Sequence, residues 1–254
     1  MSSGSTDQLA QFLRDADRLF VVTGAGMSAD SGLPTYRGIG GLYHDRETDE
    51  GMPIEKALSG PVFQTRPEIT WKYLAEIERG ARGATFNRGH EVLAQLETVL
   101  DEVWILTQNV DGFHTTAGST NVIEIHGNLH RMKCTRCSFR QTCDDYANVQ
   151  LPPTCPECHG LVRPDVVLFE EALPLKEIQR LDTCTRQPFD LVISIGTSSY
   201  FPYIIEPVLM ANRLGIPTVE INPGETTISQ IVDLKITAGA AKTLEAAWNG
   251  LNRS

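Results

Sequence analysis

The stretch RLFVVTGAGMSADSGLPTYRG, residues 18–38, begins as an unbroken apolar run and ends as a polar loop. An apolar run that does not alternate suits a strand buried on both faces of a parallel sheet. Gly24-Ala25-Gly26-Met27-Ser28-Ala29 then follows the pattern G-x-G-x-x-A. After a strand, the first glycine allows a tight turn, and the second lets the backbone approach a pyrophosphate. The small sixth residue lets a helix pack close, with the phosphate at its N-terminus. A turn built only for packing fits the same glycines, but it gives no reason for the serines, proline and arginine that follow.

Working outward, further strand-length apolar runs appear in EVWILTQN (102–109), NVIEIHG (121–127), FDLVISIG (189–196) and IPTVEIN (216–222). Helix-period segments appear in TDQLAQFLRDA (6–16), GHEVLAQLETVL (89–100) and YIIEPVLMANRLG (203–215). Alternating strands and helices predict an α/β protein with a Rossmann-like, doubly wound parallel sheet. Residues 1–37, 88–127 and 166–254 are assigned to that Rossmann-like, dinucleotide-binding type of domain. Two stretches break the alternation. Residues 38–87 hold a Gly-rich, charged segment and then the helical pattern PEITWKYLAEIERG, and residues 128–165 carry five of the six cysteines. Both are expected outside the sheet, as inserts forming a smaller domain.

Four of those cysteines are spaced as a metal site. Cys134-x-x-Cys137 and Cys155-x-x-Cys158 are two knuckles at zinc-ribbon spacing, and one dithiol motif would have sufficed for redox work. Four thiolates close a tetrahedral shell, so one structural zinc is expected and no open catalytic position. Cys143 and Cys184 have no partner at knuckle spacing, and His130 and His159 flank the ribbon as substitute ligands.

A formal net charge of −10 over 254 residues disfavours nucleic acid and anionic lipid as direct partners and draws in basic peptide. No basic-then-apolar leader and no membrane-length apolar run is present, which predicts a cytoplasmic protein without a membrane partner.

Polar residues gather where strands are expected to end. TQNVDGFH puts Gln108, Asn109 and Asp111 after one apolar run, where ligands of open α/β sheets bind. A turn held by local Asn and Asp bonds would look alike. His126 ends the next run; a histidine there is either a hydrogen-bonded core residue or the best-suited base of the chain. Gly196, Thr197, Ser198 and Asn222 repeat the pattern at two more strand ends.

In order, GAGMSADSGLPTYRG, NRGH, TQNVDGFH, EIHG, the two cysteine pairs, RPDVVLFEEALP, GTS and IN resemble the sirtuin family of NAD-dependent protein deacylases, as a bacterial-like core without long extensions. The resemblance implies that Gly24, Ala25, Gly26 and Ser28 hold the NAD phosphates, with Tyr36 and Arg37 in the cofactor loop. It implies Gln108 and Asn109 at the ribose, Asp111 at the nicotinamide amide, and Gly196, Thr197, Ser198 and Asn222 on the adenosine and phosphate side. His126 would be the general base, and Asn109 would share the catalytic site. The implied reaction is attack of an acyl-lysine oxygen on the nicotinamide ribose, release of nicotinamide, and deprotonation of a ribose hydroxyl by His126. Its products are free lysine and O-acyl-ADP-ribose, the acyl group being chiefly acetyl. The implied partner is an acyl-lysine protein or peptide, paired as an added strand along Val167, Leu168, Phe169 and Glu170.

Departures also show. Glu170 stands where the family usually has Gly, Tyr36 where Phe is more frequent, and Thr35 where many members have Asp. In the helical insert, Leu74 and Ile77 align with the Tyr and Arg that bind acidic acyl chains in desuccinylase-like members, which favours apolar acyl groups. The alternatives are NAD-dependent ADP-ribosylation of a protein on the same fold, a sensor that binds NAD or ADP-ribose without turnover, and a hydride-transferring dehydrogenase. The sensor would need no base, and the dehydrogenase would need no cysteine ribbon.

Overall fold

The computed structural model describes residues 3–35 and 47–251. Among them are strands β1 (Arg18–Thr23), β2 (Glu102–Thr107), β3 (Val122–Glu124), β4 (Gly127–Cys134), β5 (Arg140–Thr142), β6 (Val162–Val166), β7 (Leu191–Ile195), β8 (Thr218–Ile221) and β9 (Leu234–Ile236). The helices are α1 (Ser3–Arg14), α2 (Ile54–Ala57), α3 (Gly60–Thr65), α4 (Pro67–Ala81), α5 (Arg88–Leu96), α6 (Phe113–Thr116), α7 (Leu175–Cys184), α8 (Pro202–Arg213) and α9 (Ala240–Leu251).

Six strands form one sheet in the order β3-β2-β1-β7-β8-β9, and every neighbouring pair is parallel. The chain starts at β1, builds outward to β3, then returns to β7 on the other side of β1. Strand order therefore reverses between β1 and β7, the switch point at which open α/β sheets bind ligands. The continuous apolar run of β1 now has its cause. Leu19 and Val21 enter one core with Leu9, Leu13, Leu93 and Leu244, whereas Phe20 and Val22 enter another with Ile204 and Val208. Both faces are covered, so alternation disappears.

Residues of α2, α3 and α4 share a third core with β4, β6 and the cysteine region, centred on Trp71, whose Nε1 donates to the Val162 carbonyl at 3.1 Å. The small antiparallel sheet β5-β4-β6 lies here.

Two features differ from the sequence reading. The G-x-G-x-x-A stretch leads into two short 3₁₀ turns, Ala25–Met27 and Ala29–Ser31, and not into a long helix. Elements α7, β9 and α9 were also missed, for visible reasons. In α7 the one buried residue is Cys184, β9 is only Leu-Lys-Ile, and α9 packs largely through alanines, so each has a thin apolar signal.

Candidate active site at the strand ends

The glycine turn is shaped by contact between two strand ends. Gly24 N–H donates to the Ile195 carbonyl at 3.0 Å and Gly26 N–H to the Gly196 carbonyl at 2.8 Å. A Cβ on Gly26 would lie 2.6 Å from the Gly196 Cα, and one on Gly24 would lie 2.8 Å from the Thr197 Cβ. Gly196 itself has φ +59°, a conformation glycine adopts at little cost. The need for these glycines is thus met by packing, leaving the function of the loop to its polar side chains.

Those side chains converge. Ser28 Oγ donates to Asp111 Oδ2 at 2.7 Å, and Asn109 Nδ2 donates to Ser28 Oγ at 3.2 Å and to the Gly24 carbonyl at 3.0 Å. Asp111 Oδ1 also accepts from Phe113 N–H at 3.0 Å, so the local-turn reading of TQNVDGFH holds too, but it uses only one carboxylate oxygen. Burial raises the Asp111 pKa against the lowering effect of those donors. Ser28, Asn109 and Asp111 line a small cleft, open to solvent, together with Leu33, Pro34, Ile77 and Leu129.

Thr197 and Gln108 cross the switch point. Gln108 Nε2 donates to Thr197 Oγ1 at 2.7 Å, and Asn222 Nδ2 donates to the Thr197 carbonyl at 2.9 Å. Ser198 is exposed beside them. His126 follows β3, with Nδ1 at 3.2 Å from the Gln108 carbonyl and Nε2 at 2.7 Å from the Tyr203 hydroxyl. A carbonyl oxygen only accepts, so Nδ1 carries the proton and the lone pair of neutral His126 is on Nε2. Burial lowers the His126 pKa, and the Gln108 contact opposes this in part.

The four cysteines close on one point. Their Sγ atoms all lie within 4.8 Å of one another, with Cys134–Cys158 at 3.5 Å and Cys137–Cys155 at 3.6 Å. Zn–S bonds of about 2.3 Å in a tetrahedron place sulfurs ~3.8 Å apart, so the donor set fits one zinc. His130 is engaged elsewhere, its Nδ1 at 3.1 Å from the Cys143 carbonyl.

The Sir2 family profile matches residues 24–201. The chain belongs to the Sir2 family. It is 50% identical over 235 residues to a protein of Pseudomonas aeruginosa named NAD-dependent protein deacylase 2, covering 91% of each chain. Among solved structures, a mutant Sir2 homologue with ADP-ribose superposes with TM-score 0.86 at 32% identity, covering 97% of this chain and 96% of that one. A Sir2 homologue–NAD complex gives 0.84 at 31%, covering 97% and 93%.

Within this family member, the structure brings Gly24, Ala25, Gly26, Ser28, Gln108, Asn109, Asp111, His126, Gly196, Thr197, Ser198 and Asn222 to the C-terminal ends of neighbouring strands. Tyr36 and Arg37 lie outside the described residues. The segment Val167–Glu170 runs alongside: Val167 N–H donates to the His126 carbonyl at 2.9 Å, and Phe169 is already paired through Leu58 and Gly60 at 3.0 and 2.9 Å. Leu168 N–H donates to Glu171 Oε2 at 2.9 Å. Much of this backbone is therefore taken, leaving fewer groups for an added strand than the sequence suggests. Glu170 has φ +65°, the conformation that favours Gly there, and its carboxylate meets Lys56 Nζ at 3.1 Å.

Sequence reasoning passed over several supports. Asn87 caps α5 and donates to the Met27 carbonyl at 2.9 Å, tying NRGH to the glycine loop. His114 Nε2 lies 2.9 Å from Thr23 Oγ1, which bonds Thr107 Oγ1 at 2.8 Å across β1 and β2. Tyr203, on the histidine itself, had only its place in an aromatic cluster YFPY as a signal.

Proposed function

We propose that this chain removes acyl groups from protein lysines in an NAD-dependent reaction, yielding nicotinamide, O-acyl-ADP-ribose and free lysine. The observation that carries the reading is a half-buried His126 with its Nδ1–H on the carbonyl of Gln108, next in the chain to Asn109, which like Asp111 bonds Ser28 past the end of β2. Family membership and the named deacylase relatives support the same chemistry.

The residues present suit a dinucleotide, because Ser28, Asn109 and Asp111 from the ends of β1 and β2 line one cleft, and Gln108, Thr197 and Asn222 continue the polar row across the neighbouring strand ends. Gly24, Ala25, Gly26 and Ser28 hold phosphate; Gln108 and Asn109 face the ribose; Asp111 orients the nicotinamide amide. Gly196, Thr197, Ser198 and Asn222 serve the adenosine side, and Tyr36 and Arg37 complete the cofactor loop. When bound, NAD supplies the ribose carbon that receives the acyl oxygen and the nicotinamide that leaves. His126 Nε2 accepts a proton from a ribose hydroxyl, and its Nδ1–H, held on the Gln108 carbonyl, keeps the lone pair on Nε2. Val167, Leu168, Phe169 and Glu170 border the acyl-lysine peptide. Cys134, Cys137, Cys155 and Cys158 hold zinc for stability.

Ile77 lines the cleft beside Asn109 and Asp111, while Leu74 is 3% exposed in the third core. An apolar Ile77 wall, with no cation beside it among the described residues of the cleft's lining, favours acetyl or longer apolar groups over succinyl, whose anion would go unpaired there. The test is mass balance. With NAD, an acetyl-lysine peptide should lose its acetyl group with one nicotinamide and one O-acetyl-ADP-ribose formed, and a succinyl peptide should react far more slowly. A gain of one ADP-ribose on peptide or enzyme, without deacylation, would contradict the proposal.

A further inference from the structure

The hydrogen bond from Tyr203 to His126 is a contact that the proposed reaction does not use. Its direction is fixed. With Nδ1–H committed to the Gln108 carbonyl, Nε2 can only accept, so the Tyr203 O–H donates at 2.7 Å. Burial pushes the Tyr203 pKa up to about 12, which keeps the phenol protonated at neutral pH. The one ring nitrogen able to take a proton from substrate is therefore covered by a protein hydroxyl.

The surroundings hold Tyr203 there, and the turn before it is strained. Phe201 stacks on Tyr203 at 5.5 Å with 12° between planes, and both rings stand edge-on to His126 at 6.0 Å. Tyr203 sits in the first turn of α8, which begins at Pro202 without a side-chain cap bond from Phe201. Just before it, Ser199 has φ +52°, and its buried Oγ has no hydrogen-bond partner. A non-glycine residue in the left-handed region and an orphaned buried hydroxyl each cost free energy. The turn leading into α8 thus holds its present shape at a cost. The same turn reports on the base: Ser199 N–H donates to Thr197 Oγ1 at 3.1 Å, and Thr197 accepts from Gln108, whose carbonyl holds His126.

We propose that Tyr203 is a stand-in for the substrate hydroxyl: in the ligand-free enzyme its O–H fills the acceptor site on His126 Nε2, and a ribose hydroxyl must displace it before His126 can act. The inference rests on the assignment of His126 as the base that faces the ribose. Tyr203 is then a positioning residue. It preserves the Nδ1–H tautomer while the site waits, and it sets a threshold that only a ligand with a hydroxyl at that point can cross.

The variant Tyr203→Phe keeps the ring and removes only the competing donor. In the free enzyme it leaves Nε2 without its protein partner, which raises the free state relative to the bound one. Calorimetry with ADP-ribose as the probe should therefore show binding tighter by on the order of 3- to 10-fold, the worth of about one net hydrogen bond. The KM for NAD should fall in parallel, while the ligand-free protein melts at or below the wild-type temperature. A residue that merely supports the fold would weaken ADP-ribose binding along with stability, so unchanged or weaker binding overturns the proposal. On the wild type, NMR contacts between the Tyr203 ring and His126 should be present without ligand and lost at saturating ADP-ribose; their persistence overturns it too. Failure of the underlying reading looks different: wild-type enzyme would then leave an acetyl-lysine peptide intact in the presence of NAD, whatever Tyr203→Phe does.

Discussion

As the proposed base, His126 would act only while its Nε2 is unprotonated, and burial favours that state. Its pKa lies below the ordinary 6.5, so kcat/KM is expected to stay flat through neutral pH and to fall only below pH 6.5, as the imidazole takes up a proton. An acid limb centred above 6.5 would contradict this. The buried His90 tests the same physics through stability. Burial lowers its pKa to about 4, so between pH 6.5 and 4 the unfolded chain binds a proton that the folded one refuses. Stability from this group is complete above pH 6.5 and is lost as pH falls through that window, on the order of 3 kcal/mol in all. His114, lowered for the same reason, acts in the same direction. Urea midpoints at pH 7 and pH 4.5 should show the loss, and His90→Gln should flatten it. Glu170 carries a third residue-level expectation. Its left-handed φ costs about 1 kcal/mol or more, and its ion pair with Lys56 is half-exposed and contributes less than about 1 kcal/mol. Glu170→Gly should therefore melt no more than slightly below the wild type, and a large loss would show that the ion pair matters more than the strain.

At the scale of elements, the site is where parallel strands end, and this much was legible in the sequence. Continuous Val, Ile and Leu runs marked β1, β2 and β7 as doubly covered, and the polar residues just past them were the ones the fold gathers. The length of each strand was less legible: NVIEIHG yields only the three residues of β3, because Gly127 turns the chain with φ +83° and a Cβ there would meet the Asp165 carbonyl at 1.9 Å. Contacts between distant segments left no periodic trace either, so Tyr203 on His126 and His114 on Thr23 became visible only in three dimensions. Gly26 gives the element-scale test. Gly26→Ala puts a methyl group 2.6 Å from the Gly196 Cα, and backbone on both sides has little room to yield. A loss of 1–3 kcal/mol in denaturant unfolding, about the usual overpacking penalty, is expected together with weaker ADP-ribose binding.

Across the whole molecule, the sheet with its two flanking cores carries the switch point, and the third core joins α2–α4 to the cysteine region. A zinc held by the four cysteines would adjoin that third core: Cys134 and Cys155 are buried in it, and Cys137 and Cys158 pack against it. One zinc per chain is expected by elemental analysis. Its removal by a chelator should lower the melting temperature and reduce activity through unfolding of this region, with no change in which acyl group is preferred. Among the described residues no helix is long and apolar enough to cross a membrane. The net charge of −10 suits recruitment of lysine-rich peptide segments, and raised salt should increase the peptide KM more than the KM for NAD.

The most direct test joins the base to the chemistry: mass spectrometry of an acetyl-lysine peptide, with and without NAD, for wild type and for His126→Ala. The account predicts loss of the acetyl group only with NAD and only in the wild type, matched by O-acetyl-ADP-ribose, while the folded variant still binds ADP-ribose. Deacylation at the wild-type rate by His126→Ala, or deacylation that needs no NAD, would contradict it.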